Sequence, residues 1–471
     1  MPHFPRCLHV LLIKPPRFFY RVSAMSVIAA QPTPGLTYSP MDPHYFDAEM
    51  LQLELMRGLD ICNGCRMCFN LCPSFPALFK FADAREQDVR NLTAQEVDHV
   101  IDTCFQCKVC YVKCPYTPDD KHEFQLDYPR LLARAKAVRT RKQGIALRER
   151  MLSNPDLIGR LTAPAAWVAN LMNRVPPVRW VMEKVAGIHR HKRLPNFHGR
   201  TFMSRYQVQR AMLPLDGERG KVLYYPTCFV NYNAPEIGEA ALRVFSRNRL
   251  TVKVDYANCC GMPALDSGDV PQAQRMARAN IARLLPWVRE GYTVLVNNPT
   301  CSMMMRKEYP GLVGGKDAED LAAAVKDPNE YLNEMRREGR LNTDFKSSPG
   351  LIRYHVPCHL RAQNIGYRSR DMMKAISETT EVELTAECCG HDGTWAMKKE
   401  YFEASLTVGK KAFDGLRGEA GAEGIMATDC PLAAIQFQQA LGTKPLHPLE
   451  VLDRAYEPDG FPPRTPAKHP E

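Results

Sequence analysis

Two runs of closely spaced cysteines constrain this chain more than any other feature of its sequence. Both runs have the spacing C-x2-C-x2-C-x3-C-P: Cys62, Cys65, Cys68, Cys72 and Pro73, then Cys104, Cys107, Cys110, Cys114 and Pro115. Three cysteines at intervals of three let one tight loop surround three corners of a metal cluster. The proline after the fourth cysteine fixes φ and suits the first position of a helix.

This spacing resembles the ligand run of bacterial ferredoxins, in which the fourth cysteine of each run binds the cluster of the other run. The resemblance implies two [4Fe–4S] clusters with crossed ligand sets. We therefore expect the first cluster on Cys62, Cys65, Cys68 and Cys114. We expect the second cluster on Cys104, Cys107, Cys110 and Cys72.

Zinc and disulfide bonds are the alternatives for these cysteines. A structural zinc site usually takes two short cysteine pairs separated by a longer loop. Here each run holds four cysteines in succession, ends with Cys-Pro and occurs twice. The pattern therefore favours iron–sulfur clusters over zinc, and a metal centre over disulfide bonds.

The size and composition of the chain indicate a globular protein of several domains. At roughly 150 residues per domain, its 471 residues correspond to about two to four domains. Seventeen cysteines without a convincing export signal indicate a reducing compartment, so we expect a cytoplasmic protein. No apolar run approaches the roughly eighteen residues that span a bilayer. The net charge of +10 is moderate, so its distribution matters more than its size.

Both ends of the chain are expected to lack regular structure. Residues 1–40 are rich in proline, and we interpret them as a disordered stretch or as the result of a start codon placed too early, with the true start near Met25. A transit peptide is the alternative. Cys7 is interpreted as a bystander, and residues 457–471 are predicted to form a disordered tail.

Residues 41–150 are predicted to form a ferredoxin-type domain that is mostly helical. Residues 49–57 have the apolar spacing of a helix that leads into the first cysteine run. Thr93 and Glu96 fit a capping box at the start of a helix between the two runs. The sequence therefore predicts helices around the cysteines, not the β-rich fold of small ferredoxins.

Residues 151–216 are basic and are predicted to form an amphipathic helical linker. From Arg130 to Arg200, lysines and arginines far outnumber acids, and apolar residues such as Trp167 and Trp180 are interleaved with them. One interpretation is a pair of helices packed on the neighbouring domain with a solvated basic face. The other is a surface for an anionic membrane or an acidic partner. Nucleic acid is not expected, because no recognised binding motif accompanies the charge.

The remainder of the chain is an internal repeat of alternating strands and helices. The copies span residues 217–345 and 346–456. Strands are predicted at 221–225, 250–254 and 292–296, and again at 351–356, 382–384 and 424–428. Helices are predicted at 237–247 and 271–285, where Pro286 should end or kink the second, and then at 371–378 and 398–416. This alternation predicts a parallel sheet in each copy, and the chain as a whole is expected to be an α+β multidomain protein.

Cysteines follow every predicted strand of both copies. Because ligands collect beyond the carboxyl ends of parallel strands, each copy should present a cysteine cluster at one rim of its sheet. The first set is Cys228, Cys259, Cys260 and Cys301, and the second set is Cys358, Cys388, Cys389 and Cys430. The glycines after the adjacent cysteine pairs permit positive φ and leave room for a bulky cofactor.

The Cys…Cys-Cys-Gly…Cys repeat resembles the cysteine-rich CCG domain found in heterodisulfide reductase. With the two cysteine runs in front, the chain from about Met41 is similar to fused iron–sulfur oxidoreductases, such as the iron–sulfur subunits of anaerobic glycerol-3-phosphate dehydrogenase and of glycolate oxidase. The resemblance implies a subunit that relays electrons from a flavin-containing dehydrogenase to a quinone or another acceptor. The resemblance leaves the ultimate substrate unassigned. The basic stretch adds the expectation of a peripheral place on the inner face of the cell membrane.

The sequence departs from heterodisulfide reductase at one position of each copy. In that enzyme the last element is C-x-x-C, which supplies a fifth thiolate to a noncubane cluster, whereas Met304 and Ala433 occupy the second position here. Four thiolates remain in each copy, which suffices for one or two further [4Fe–4S] or [2Fe–2S] clusters. The alternative is a vestigial site of buried free thiols.

Histidines and acids flank the cysteines of the repeat. His355, His359 and His391 could bind or protonate a group at the second set, although a histidine near a strand end is more often structural. Asp266, Asp269 and Asp429 are interpreted as caps of turns or helices.

The sequence has no P-loop, no G-x-G-x-x-G after a strand and no Ser/His/Asp signature, so no catalytic residue is assigned. Two alternatives to the relay therefore stay open. The repeat could itself reduce a disulfide, a peroxide or another small oxidant, or the chain could be a non-enzymatic redox sensor.

Overall fold

Helices dominate the N-terminal half of the chain and two parallel sheets organise the C-terminal half, as the α+β prediction expects. The computed structural model describes residues 30–418 and 424–461. Cys7, Met25 and residues 462–471 lie outside the described residues. No helix in the described part of the chain is both long and apolar enough to cross a membrane.

Five helices surround the two cysteine runs: α1 (Ala48–Cys65), α2 (Ser74–Asp83), α3 (Ala94–Asp102), α4 (Val109–Lys113) and α5 (Tyr128–Gln143). The helix predicted at 49–57 is confirmed as part of α1. The capping box of Thr93 and Glu96 at the start of α3 is also confirmed. The apolar faces of α1, α2, α3 and α5 enclose a buried core, and the cysteines lie at its edge.

Residues 30–40 are folded against α1 and α5, which differs from the predicted disorder. Arg57, which is fully buried, donates to the carbonyl of Ala30. Arg134, also fully buried, donates to the carbonyl of Gly35 and to two other backbone carbonyls. A buried guanidinium needs acceptors for its N–H groups, so these two arginines hold the segment in place.

Five short helices follow where a pair was expected: α6 (Leu147–Leu152), α7 (Pro155–Thr162), α8 (Ala166–Met172), α9 (Pro176–Ala186) and α10 (Phe202–Gln209). The predicted solvated basic face is only partly formed, because several basic side chains here are buried. Arg179 donates to the carbonyls of His189 and Lys192, and its side chain is therefore a structural clamp. Gly159 of α7 packs so closely on the ring of Tyr232 that no side chain would fit there.

The first repeat copy is a four-stranded parallel sheet in the order β2-β1-β3-β4. Its elements are β1 (Lys221–Tyr225), α11 (Thr227–Tyr232), α12 (Pro235–Arg247), β2 (Thr251–Val254), α13 (Met262–Asp266), α14 (Val270–Arg289), β3 (Thr293–Val296), α15 (Pro299–Met303), α16 (Tyr309–Val313), α17 (Lys316–Ala324), β4 (Val325–Lys326) and α18 (Pro328–Arg337). The three predicted strands are confirmed, whereas β4 and the helices around it were not predicted.

Pro286 does not end α14, which continues to Arg289. The residue after it stabilises this last turn. Trp287 donates from Nε1 to Asp255 over 3.1 Å and packs edge-on against Tyr292. These contacts join the helix end to the following strand, so the helix continues past the proline.

The second copy is a three-stranded parallel sheet in the order β6-β5-β7. Its elements are β5 (Leu351–His355), α19 (Cys358–Arg361), α20 (Arg368–Lys374), β6 (Glu381–Thr385), α21 (Phe402–Arg417), β7 (Ile425–Thr428), α22 (Pro431–Leu441) and α23 (Pro448–Ala455). The three predicted strands are again confirmed. The helix predicted at 398–416 begins later in the structure, because α21 begins at Phe402.

The two copies share one apolar core, which fixes the position of their rims relative to each other. Tyr224 of β1 and Tyr354 of β5 both belong to it, and both are fully buried. α23 returns from the second copy onto α12 of the first, where Arg243 and Asp453 form a salt bridge of 2.6 Å. Phe461, inside the predicted disordered tail, is buried in the same core.

Candidate iron–sulfur sites

The first crossed set of cysteines lies around one small cavity. Cys62, Cys65, Cys68 and Cys114 line a space of about 30 Å³. α1 supplies the first two cysteines in its last turn, and the left-handed Arg66 (φ 52°) then ends the helix. Burial and the nearby Cys114 raise the pKa of the Cys62 thiol. The chain therefore brings these four thiols together across an interval of some fifty residues.

The second crossed set is brought together in the same way. Burial, then Cys107 and Cys104, raise the pKa of Cys72. Burial, then Cys107 and Cys72, raise the pKa of Cys110. Lys108, which follows the second cysteine of this run, is left-handed (φ 59°) like its counterpart Arg66. The fourth cysteine of each run thus lies beside the other run, as the crossed assignment requires.

The donor groups of both sets fit an iron–sulfur cluster. Each set consists of four largely buried thiols, and thiolate sulfur is the ligand of such clusters. A bound cluster supplies the positive charge that keeps buried thiols deprotonated. In residues 30–418 and 424–461, no three His, Cys, Asp or Glu side chains converge closely enough to hold a single metal ion. A four-iron cluster has a different requirement, because it spreads its thiolates over separate irons.

The second repeat copy presents its cysteines around an open space. Cys358, Cys388, Cys389 and Cys430 line a cavity of about 100 Å³. They follow β5, β6 and β7, whose carboxyl ends meet at this rim. Gly390 (φ 71°) follows the adjacent pair, and a Cβ there would lie 2.0 Å from the carbonyl oxygen of Ser405. Only glycine therefore allows the pair to take this position.

This cavity adjoins the second crossed set. Cys107 and Phe105 of the second cysteine run line the cavity together with the second-copy cysteines. Burial and then Cys388 raise the pKa of Cys107, and burial and then Cys107 raise the pKa of Cys358. The thiols of the ferredoxin-type run and of the repeat are therefore neighbours.

The first repeat copy holds its four cysteines differently. Cys228 Sγ lies 3.8 Å from Cys259 Sγ, and three of the four cysteines belong to the buried apolar core. Met304, in place of a further thiol, is fully buried in a π-helical turn, Met304–Glu308. This set is compact and enclosed. Such an arrangement is compatible with the alternative of a vestigial site that consists of buried free thiols.

The flanking histidines differ in their hydrogen bonds. His355 and His359 use both ring nitrogens in bonds of 2.8 to 3.1 Å to backbone carbonyls and threonine hydroxyls. Burial lowers the pKa of His355 to about 3 and that of His359 to about 4, so both are neutral structural residues. His391, which is also buried, has no partner at either ring nitrogen among the described residues.

The acids flanking the cysteines divide into three environments. Asp269 caps α14 by accepting from the N–H of Gln272, which confirms its predicted role. The capping prediction is wrong for Asp429, which is fully buried and accepts from the hydroxyls of Tyr354 and Ser369. Asp266 lies in a cavity that the sequence did not indicate.

That cavity, of about 340 Å³, lies between the helical region and both repeat copies; it is called the junction cavity below. Cys104, Lys136, Asp266, Asp392 and Trp395 are among its lining residues. No side chain of the described residues makes a hydrogen bond or salt bridge to either carboxyl group. Burial raises the pKa of Asp266 to about 6, and burial and then Asp266 raise the pKa of Asp392 further.

Comparisons with known proteins agree with this arrangement. Residues 55–144 match the Fer4-like domain of citrate utilization protein B. Residues 222–306 and 352–437 match the cysteine-rich CCG domain. The chain therefore contains one Fer4-like domain and two cysteine-rich CCG domains. Its resemblance to the CCG proteins, predicted from the cysteine pattern, is confirmed.

Two of the relatives are named as subunits of redox enzymes. The C subunit of anaerobic glycerol-3-phosphate dehydrogenase from Escherichia coli (strain K12) is 28% identical over 328 residues, which cover 69% of this chain and 80% of the relative. The B subunit of fumarate reductase (CoM/CoB) from Methanothermobacter marburgensis is 26% identical over 57% of this chain and 54% of the relative. Lactate utilization protein A of Geobacillus kaustophilus is 26% identical over 45% of this chain and 87% of the relative. A general role in electron transfer follows for this CCG protein.

The crossed ligand sets predict which cysteine substitutions act on the same cluster. Cys114→Ser should change the same EPR signal as Cys62→Ser, and Cys72→Ser should change the signal that Cys107→Ser changes. Each variant should lose up to about four irons per chain. Cys7→Ser is the control and should retain wild-type iron content. If Cys114→Ser instead alters the signal that depends on Cys107, the crossed assignment is wrong.

Proposed function

We propose that this CCG protein is an iron–sulfur electron-transfer subunit that takes electrons from a flavin-containing dehydrogenase partner and passes them to a quinone or another acceptor. The observation that carries the proposal is the position of Cys107, which belongs to the second crossed set and also lines the second-copy cavity. One continuous line of thiol groups therefore runs from the helical region into the repeat.

Three groups of residues form this line. The two crossed sets would each hold a [4Fe–4S] cluster, and Cys358, Cys388, Cys389 and Cys430 would hold a further one. A bound iron–sulfur cluster takes up and releases one electron, at a potential set by burial and hydrogen bonds to its sulfurs. The protein contributes burial of the thiols and a fixed spacing between the sets. The compact first-copy set is not assigned to the line.

An exposed apolar patch beside the first crossed set suits a partner protein. Met67 and Phe69 lie in the first cysteine run and are 45% and 60% exposed, and Val112 in the second run is 44% exposed. Apolar side chains at a protein surface gain free energy when a partner covers them. This end of the line is therefore the docking site that we propose for the dehydrogenase.

The junction cavity borders the second crossed set at Cys104 and the second copy at Asp392, and it suits a neutral acceptor better than an organic anion. Its cationic side chains are largely paired, since Arg148 contacts Glu400 at 2.7 Å and Lys398 contacts Glu149 at 3.0 Å. The carboxyl groups of Asp266 and Asp392 lack hydrogen-bond partners among the described residues. They disfavour a carboxylate or phosphate ligand, and they can donate protons to a reduced acceptor. Phe105, Trp395 and Tyr401 form a continuous aromatic wall, with ring centroids 4.6 and 4.8 Å apart. A quinone ring has the carbonyl groups and the flat face that such a wall accommodates.

The linker helices supply a surface for a lipid bilayer. Large apolar side chains there are strongly exposed: Leu147 (73%), Leu161 (71%), Trp167 (73%), Leu171 (53%), Trp180 (50%), Val181 (50%) and Val185 (81%). Arg150, Arg174 and Lys184 are exposed nearby. α6 begins at Leu147, next to Ala146 in the wall of the junction cavity. We therefore propose a cytoplasmic protein docked on the inner face of the membrane, with the cavity open toward membrane-bound quinone.

The self-contained reductase is the second candidate. The second-copy cavity favours it, because a small oxidant could meet the cysteines there directly. Reduced protein would then turn over a disulfide or a peroxide without a partner. A redox sensor has no comparable support from the geometry.

Transfer of electrons to quinone tests the proposed relay. Chemically reduced holoprotein is mixed anaerobically with anionic vesicles that contain menaquinone, and reoxidation is followed by absorbance. We expect rapid reoxidation in the wild type. Cys430→Ser should have a small fraction of that rate, because it lacks one thiol of the second-copy set, which is the last set in the line. Cys301→Ser, the equivalent change in the first copy, should have a much smaller effect. A wild-type rate in Cys430→Ser would exclude the relay through the second copy.

Binding to vesicles tests the proposed membrane surface. Burying a large apolar side chain contributes about 1.5–3 kcal/mol, so Trp167→Ser should weaken binding to phosphatidylglycerol vesicles about tenfold or more. The basic residues add attraction that salt screens, so binding should fall as ionic strength rises. Met212→Ser is the control, since Met212 is 77% exposed but lies outside the linker helices. Sedimentation with vesicles measures both effects, and equal binding by the two variants would contradict the proposal.

A further inference from the structure

His391 is a buried histidine without a hydrogen-bond partner. His391 is only 1% exposed, and neither Nδ1 nor Nε2 makes a hydrogen bond of normal geometry to a described residue. A neutral imidazole has one N–H donor and one acceptor nitrogen. Leaving such a group buried and unsatisfied costs about 1–3 kcal/mol, and native structures rarely do so. The imidazole therefore lacks the protein partners that a buried histidine ordinarily has.

The other histidines at this cavity are different. His355 is held between Thr428 and the carbonyl of Glu387, both at 3.1 Å. His359 is held between Thr300 at 2.8 Å and the carbonyl of Gln106 at 3.0 Å. Each has used both nitrogens for structure, so neither is free to bind a ligand.

The surroundings of His391 indicate the kind of partner. It lines the second-copy cavity with Cys358, Cys388, Cys389 and Cys430. Ala433 lines the same cavity, at the position where C-x-x-C would provide a further thiolate. Four cysteines and one imidazole without a normal hydrogen bond therefore line one cavity, and an apolar methyl group replaces the missing thiolate. Imidazole nitrogen is a good ligand for iron and replaces thiolate in some iron–sulfur centres.

The backbone around His391 is held in an unusual conformation. Gly390, Asp392 and Gly393 all have positive φ, at 71°, 39° and 51°. Asp392 is not a glycine, so its conformation is strained. Strain of this kind persists where the surrounding structure fixes a functional group. Here it fixes the imidazole between the adjacent cysteine pair and the junction cavity.

We propose that the imidazole of His391 is a ligand of the iron centre held by Cys358, Cys388, Cys389 and Cys430, in place of the thiolate that Ala433 cannot provide. This inference rests on the proposed function, because it requires an iron centre in the second copy. A neutral imidazole adds less negative charge than a thiolate. The centre should therefore have a higher reduction potential than one with sulfur ligands alone.

Nitrogen hyperfine coupling tests the proposal directly. The holoprotein is produced with ¹⁵N-labelled histidine, reduced, and measured by pulsed EPR. The wild type should show a strongly coupled histidine ¹⁵N, which His391→Ala should lose. His359→Asn is the matched control from the same cavity and should keep the coupling. His391→Cys should lose the coupling, retain iron and shift the reduction potential of the centre downward.

Two results would overturn the proposal, and they differ in what they imply. An iron centre that depends on Cys430 but shows no histidine coupling in the wild type would exclude His391 as a ligand and leave the relay intact. Equal iron content in the wild type and in a variant with all four second-copy cysteines replaced by serine would show that the second copy holds no iron. That result would overturn both this proposal and the relay. The wild-type spectrum decides even if a variant fails to fold.

Discussion

The arrangement of the whole protein depends on one loop, Cys104–Cys107, which is wedged between the helical region and the repeat. Phe105 is 2% exposed and packs edge-on against Trp395 of the second copy. The carbonyl of Gln106 accepts from His359 Nε2 at 3.0 Å. The hydrogen bond and the aromatic contact fix Cys107 at the rim of the second sheet, and without them the two groups of cysteines would belong to separate sites.

A buried ion cluster fixes the same loop to the first copy. Lys108 contacts Glu308 at 2.6 Å, and Arg130 contacts the same carboxylate at 3.3 Å. Although burial raises the pKa of Glu308, the two cations lower it to about 2. The carboxylate therefore stays charged above that pH. The stabilisation it provides is present above its unfolded-state pKa and is lost as the pH falls toward 2. Removing the carboxylate would leave Lys108 at the junction without its salt-bridge partner.

The two repeat copies share a fold and differ at their rims. In the first, the thiols contact one another inside an apolar core, with Met304 filling the space nearby. In the second, the thiols surround a cavity, with the small Ala433 and the unpartnered His391 beside them. Duplication thus provided one copy with an enclosed cysteine set and one copy whose cysteines border the second ferredoxin-type run.

Local features of the sequence predicted a large part of this architecture. Cysteine spacing, the capping box at Thr93 and the six strands depend on residues close together in the chain, and their patterns are visible there. The ordered structure of residues 30–40 depends on Arg57 and Arg134, which donate to backbone carbonyls of this segment from distant helices. Because composition does not show such contacts, it predicted disorder there. The junction cavity and the lone His391 likewise arise from contacts between residues hundreds of positions apart. No periodicity or motif records such contacts.

We propose that the second ferredoxin-type centre and the second-copy centre are neighbours on one electron path. Magnetic interaction between paramagnetic centres in the fully reduced holoprotein measures this proximity by EPR. We expect a spin–spin splitting of the signal that depends on Cys107, which Cys430→Ser abolishes and Cys301→Ser retains. A signal without splitting in the wild type, or a splitting that Cys301→Ser removes, would contradict it.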